Sequence, residues 1–292
     1  MDFNSLLSQV FNGLVLGCFY VLLSLGLTII FGTLGVVNFA HGALYMLGAY
    51  AAYAVVGYLH LNFLLAILIC PLLVAGLGML LERFLVSKLY KLPHYYNLLL
   101  TFGIMFIIQE MVKIVFGAQG EPFNIPEIFQ GAADLGFMLY PKYRLFILFA
   151  TAGLAIGIWL FIERTRLGAV IRAGTDNREM ADALGTNISW TFTLVFGLGA
   201  GLSGLAGVLA APIQNVQPAM GMDILVQTFV VVIIGGMGSI LGSILVGLII
   251  GEILTFSILF WPPGSTTFIY AFMALVLTTR PRGLFGRAQF FE

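Results

Sequence analysis

Charge is what this sequence has least of. Only 9% of its 292 residues are Asp, Glu, Lys or Arg, against roughly 25% in an average soluble domain. With 60% apolar residues and a mean hydropathy of +1.05, that scarcity excludes an ordinary water-soluble domain. Basic and acidic residues number 13 each, so the net charge is zero and nucleic acid is not an expected partner. Cysteine is equally sparse. Cys18 and Cys70 both fall inside apolar runs and read as small core residues rather than a disulfide or metal site. No cluster of His, Cys, Asp and Glu has ligand spacing, so no metal is expected. There is no G-x-x-x-x-G-K-[ST] phosphate loop and no Gly-Lys pair at all; the chain is not expected to be an ATPase or another enzyme. The opening MDFNSLLSQ contains no Lys or Arg, lacks the basic start of a secretory signal, and reads as mature sequence.

What the sequence has is apolar runs. A helix crosses a bilayer in about 20 apolar residues. Candidate blocks run approximately over 10–31, 40–59, 63–81, 95–116, 143–162, 188–211, 219–234, 240–260 and 266–278, the seventh and ninth being short. The expected fold is all-α: a polytopic membrane helical bundle of about eight to nine transmembrane segments, some discontinuous, forming one domain over 1–292. Most basic residues fall in three places: Arg83, Lys88 and Lys91; Arg164, Arg166, Arg172 and Arg178; Arg280, Arg282 and Arg287. Full crossings put all three on one side, which the positive-inside rule makes the cytoplasm. The amino terminus is then outside and the carboxyl terminus cytoplasmic. The opposite loop, 117–142, carries Glu121, Glu127 and Asp134 with three prolines and is expected outside.

Glycine sits where helices must approach. Gly197/Gly201, Ala200/Gly204, Ser203/Gly207, Gly238/Gly242 and Gly247/Gly251 are small-xxx-small pairs, a packing device in lipid. Two passages read as helix breaks: FGTLGVVNFAHG over 31–42 and IIGGMGSILG over 233–242. Irregular backbone at membrane depth is tolerated only inside protein or beside a watery cavity, and transporters place such breaks at their substrate paths. Asn38 and His41 at the first break, with Gln227, Gly235, Gly236 and Gly238 at the second, are therefore candidate path residues. The competing reading is that Asn38 and His41 only satisfy backbone groups freed by the break. Glu110 and Lys113 can pair on one helix face. Glu252 stands alone in the eighth block, either functional or a buried, hydrogen-bonded or protonated group.

One long polar passage separates two apolar blocks: ERTRLGAVIRAGTDNREMADALGTN, 163–187. Asp176 is a candidate N-cap with Glu179 as its capping-box partner. The spacing predicts a helix over 177–184, stopped at Gly185 by a left-handed residue. Met180, Ala181 and Leu184 form its apolar edge. The pattern R-T-R-L-G-x-x-I-R-A-x-x-x-N-x-x-x-A-x-x-L-G resembles the cytoplasmic coupling loop of permease subunits in ATP-binding-cassette importers of the branched-chain amino-acid class. It is carried here by Arg164, Thr165, Arg166, Leu167, Gly168, Ile171, Arg172, Ala173, Asn177, Ala181, Leu184 and Gly185. The G-x-x-N-F-A-H-G and G-G-x-G-S passages resemble the same family; Gly174, Thr175 and Asp176 depart from it.

The resemblance implies an assembly in a bacterial or archaeal inner membrane. Its members are a second homologous permease, two ATP-binding subunits inside and a substrate-binding protein outside. It implies no cofactor on this chain, ATP being bound by the partners. Arg172, Asp176, Asn177, Glu179, Ala181, Leu184 and Gly185 are the implied coupling residues. The implied cargo is a branched-chain amino acid, with urea or short amides as alternatives served by related permeases. An ion-coupled secondary transporter would need intramembrane acids, and only Glu110 and Glu252 offer themselves. A mere membrane anchor would need neither helix breaks nor a capped surface helix.

Overall fold

The computed structural model describes residues 3–286 apart from Phe137 and Asn177, together with all their side chains except those at 3, 176, 178 and 179. Eleven α-helices account for most of the described chain. They are α1 (Phe3–Leu34), α2 (Ala40–Tyr53), α3 (Phe63–Phe84), α4 (His94–Phe116), α5 (Lys142–Arg164), α6 (Arg166–Asp176), α7 (Arg178–Ala183), α8 (Ile188–Ala210), α9 (Met220–Gly235), α10 (Ile240–Phe260) and α11 (Ser265–Thr279). Six of them are long and apolar enough to cross a membrane, as expected of a polytopic helical membrane protein. The seventh block, α9, is apolar but shorter. Among the described residues the β structure is a small antiparallel hairpin, β1 (Ala132–Asp134) with β2 (Leu139–Pro141), in the 117–142 loop, and an isolated bridge between Glu121 and Val216.

The expected single domain is built as two compact units. One comprises Met1–Ser24, Asn124–Ile156 and Val226–Glu292; the other comprises Leu25–Phe123 and Gly157–Leu225.

In the second unit α8 is the central post, against which α2 and α3 pack. Its small residues make that possible. A methyl added at Gly207 would overlap the Tyr45 carbonyl of α2, and one at Gly48 would overlap the Gly204 backbone. Ala200 packs with Leu44 of α2 and Val74 of α3 in a buried cluster. Contact at backbone distance replaces the hydrophobic drive that lipid removes. The 117–142 loop is tied to the segment after α8: Glu121 and Val216 exchange backbone hydrogen bonds of 2.8 and 3.0 Å, and the Tyr53 hydroxyl donates to the Glu121 carboxylate at 3.2 Å.

The other unit uses the same device. A methyl at Gly251 would overlap the Gly17 backbone of α1, and one at Gly247 would crowd Val21. Helix starts are locally encoded. Asn62, Asn187 and Ser239 each accept a hydrogen bond from a first-turn N–H, at 3.0, 3.0 and 3.1 Å.

Candidate coupling and translocation site

The polar passage 163–187 folds as two helices, correcting the expectation of one. Helix α6 begins directly after α5. Thr165 Oγ1 donates to the Phe161 carbonyl at 2.6 Å and accepts from the Gly168 N–H at 3.0 Å, so one hydroxyl ends α5 and starts α6. Gly168 must be glycine because a methyl there would overlap the Ile162 carbonyl. Arg172 donates to that same Ile162 carbonyl, with Glu163 3.9 Å from its guanidinium. A cation on the last carbonyls of a helix is favourable. Arg172 therefore fastens α6 to α5, a contact that spacing alone did not suggest.

Asp176 is the last residue of α6, not the lone start of a helix as the capping-box pattern implied. The proposed side-chain bonds of Asp176 and Glu179, and the whole of Asn177, lie outside the described residues. The far end of α7 behaves as its sequence requires. Gly185 has φ +86°. The Gly185 N–H bonds the Asp182 carbonyl at 2.9 Å and the Thr186 N–H bonds the Ala181 carbonyl at 3.2 Å, the paired bonds of a Schellman stop. The apolar edge divides. Ala181 is 5% exposed and packs with Ile188 and Phe192, whereas Met180 is 59% and Leu184 80% exposed. Helix α7 thus keeps one small residue against its own unit and turns two large apolar ones outward.

The first break enters the unit. Gly35 has φ +66° and lies beside His94 at the start of α4. Four residues later the Phe39 N–H donates to Thr101 Oγ1 at 3.1 Å. His94 and Thr101 are two turns apart on α4, about 10 Å. The segment 35–39 therefore runs extended alongside α4, and α2 starts level with Thr101. Its backbone is served by Thr101, which sequence reasoning missed inside an apolar block. Asn38 does not serve it: fully buried, at 0% exposure, its amide nitrogen and oxygen have no hydrogen-bond partner among the described residues. Asn97 Oδ1, one turn before Thr101, is in the same condition. His41 is buried, its carbonyl accepts from Ser203 Oγ at 2.7 Å, and its ring lies beside Gly26.

The second break lies in the other unit and is a reversal. Gly235 and Gly242 face each other across it, each leaving no room for a methyl on the other, and Gly236 and Gly238 have φ of +96° and +84°. The segment after α11 covers the turn. The Leu284 and Phe285 N–H groups donate to the Ile234 and Gly235 carbonyls at 2.7 and 3.2 Å, and a methyl on Gly236 would overlap the Gly286 N–H. Gln227 Oε1 accepts from the Tyr20 hydroxyl at 2.6 Å. So Asn38 and His41 meet in one unit, and Gln227, Gly235, Gly236 and Gly238 share α9 and its turn in the other.

Of the remaining acids, Glu110 pairs with Lys113 at 2.5 Å on the surface of α4. Glu252 presses both carboxylate oxygens against Gly13, where they have no hydrogen-bond partner among the described residues. Among the described residues no group of His, Cys, Asp and Glu could hold a metal.

A family model for the branched-chain amino acid transport system permease component matches residues 9–278. The chain is 29% identical to the high-affinity branched-chain amino acid transport system permease protein BraD of Pseudomonas aeruginosa, over 97% of this chain and 96% of that protein. It is 28% identical to the permease protein LivH of the same-named system in Escherichia coli, over 99% and 98% of the two chains. To the Escherichia coli permease protein LivM it is 25% identical, over 79% of this chain and 59% of the other. No solved structure matches the chain.

Proposed function

This chain belongs to the family of branched-chain amino acid transport system permease components, and from that premise we propose that it is the transmembrane subunit of an ATP-binding-cassette importer for hydrophobic L-amino acids. Two ATP-binding subunits hydrolyse ATP and grip α7; a second permease completes the path; a substrate-binding protein delivers cargo outside. The observation that carries this reading is α7 itself: a short helix stopped by Gly185, its Ala181 seated in the unit and its Met180 and Leu184 mostly solvent-exposed. Exposed large apolar residues on a polar surface helix mark a docking site. Two permease proteins of Escherichia coli, LivH and LivM, carry the same system name, which favours a heteromeric permease pair.

The basic segments set the orientation, with α7 in the cytoplasm and the 117–142 loop outside. In a Cys18→Ala, Cys70→Ala background, Ala183→Cys will react with an impermeant thiol reagent only from the cytoplasmic side, and Gln119→Cys only from outside. Both positions are exposed. Labelling of Gln119→Cys from the inside would overturn the orientation.

Cargo follows from charge. The segments 35–42 and 227–242 contain no Asp, Glu, Lys or Arg. A cargo with net charge would be desolvated there without a fixed counter-charge, at a cost of several kcal/mol. A zwitterion with an apolar side chain is desolvated at less cost beside either segment. Reconstituted with its partners, the complex will take up leucine in an ATP-dependent manner, and lysine and urea poorly. Urea uptake without leucine would assign the chain to amide transport. Uptake driven by an ion gradient without ATP would make it a secondary transporter.

A further inference from the structure

Glu82, in the last turn of α3, is 1% exposed. It lies one residue past the apolar block 63–81. Its Oε1 accepts from the Tyr90 hydroxyl at 2.6 Å, and its Oε2 accepts from Thr193 Oγ1 on α8 at 2.5 Å. Among the described residues it makes no ion pair. A buried carboxyl held by hydroxyls alone is costly to maintain, and a methionine or leucine would serve packing better. What the carboxyl supplies is two short, directional bonds from one residue, fixing the turn after α3 to α8.

That turn touches both halves of the coupling machinery. The Tyr90 ring stands edge-on to Phe192, centroids 5.8 Å apart. Tyr90 and Leu34 pack against the cluster of Ala181, Ile188 and Phe192, where α7 is seated. The same two residues pack against the cluster of Ile30, Val36, Val86 and Phe196. Leu34 ends α1 and is followed by Gly35, where the extended 35–39 segment begins. The seat of α7 and the root of the extended segment therefore share two side chains, and the Tyr90 hydroxyl is pinned to Glu82.

Building on the reading of α7 as the ATPase contact, we propose that Glu82, Tyr90 and Thr193 form the joint that carries displacement of α7 into the extended 35–39 segment. Tyr90 is the lever, and Glu82 is the positioning residue that holds it in register with α8. Without the hydroxyl–carboxylate bonds the ring can slide on Phe192, and movement of Ala181 is absorbed before it reaches Leu34. Interior packing transmits displacement only where its members have fixed partners.

The test uses the full reconstituted complex and reads amino acid moved per ATP hydrolysed. Tyr90→Phe keeps the ring and deletes one bond; Thr193→Val deletes the other. Each will assemble, retain ATP hydrolysis, and lower the transport-to-hydrolysis ratio by about fivefold or more. Glu82→Gln combined with Tyr90→Phe will be no worse than the more affected single variant, as members of one unit are not additive. A second measurement does not depend on turnover. In the Cys18→Ala, Cys70→Ala background, the thiol reactivity of Val37→Cys will change when ATP is added to the parent complex, and will not change with Tyr90→Phe. An unchanged ratio in either single-bond variant overturns the joint, and so does an ATP response at Val37→Cys that survives Tyr90→Phe. If the parent complex itself shows no ATP-driven uptake, the importer reading falls and the joint with it.

Discussion

Replacing Gly207 by valine will lower the yield of folded, monodisperse protein at least tenfold. The position leaves no choice. A Cβ there overlaps the Tyr45 carbonyl and also crowds the Ala49 backbone, so the obstacle is main chain rather than a side chain that can swing away. Overpacking of a core costs about 1–3 kcal/mol even where side chains can yield, and the whole folded state rests on about 5–15 kcal/mol. Gly48→Val, from the opposite helix, should fail in the same way, because it meets the Gly204 backbone. Gly76→Ala and Gly153→Ala are the controls: nothing lies within 4 Å of a methyl at either place, and alanine is the better helix former. Size-exclusion chromatography of detergent-extracted fluorescent fusions reads all four variants. A Gly207→Val protein that accumulates like the parent would mean that α2 and α8 do not meet at backbone distance.

Gly185→Val will leave that yield unchanged and cut ATP-driven uptake at least tenfold. No atom lies within 4 Å of a Cβ at Gly185, so sterics outside the residue do not enter. The cost is φ +86°, which a β-branched residue adopts only with strain of about 1–3 kcal/mol. Helix α7 is six residues long and has little cooperativity with which to resist. It will unwind from its stop, and Met180 and Leu184 will lose their common direction. Asn tolerates the left-handed region, so Gly185→Asn should recover most of the lost uptake. Uptake by Gly185→Val at the parental rate would reduce the passage to a plain connector.

How much of this was legible beforehand depended on how local the cause is. The stop at Gly185 is a chirality rule acting within one turn, and it held. The apolar helices followed from run length alone, with 240–260 and 188–211 placed almost residue for residue. The small-residue pairs on α8 announced close packing but not the partners, since Tyr45 and Gly48 lie far upstream. Helix α6 was missed because its start depends on Thr165 and Gly168 folding back on the α5 carbonyls, a tertiary contact that looks like a turn in one dimension. The same limit hid Thr101 and Glu82. One lies inside an apolar run and the other just past the end of one, and neither stands out until partners sixty and more positions away are brought to it. Asn38 stood out as a polar residue at the first break, but the backbone-satisfying task weighed for it falls to Thr101.

The segment after α11 has a consequence for biogenesis. The last carbonyls of α9, at Ile234 and Gly235, take their hydrogen bonds from Leu284 and Phe285, which are synthesised only after all of α10 and α11. Until then, the hairpin of α9 and α10 must be inserted with those acceptors bonded to water or to lipid headgroups. That unit is consequently the last to close during translation. A ribosome stalled between the ends of α10 and α11 should leave the turn at 235–240 open to protease, while the α2–α3–α8 packing of the other unit has already formed. Emergence of residues 284–285, rather than insertion of α9 and α10, would then set when this turn becomes resistant.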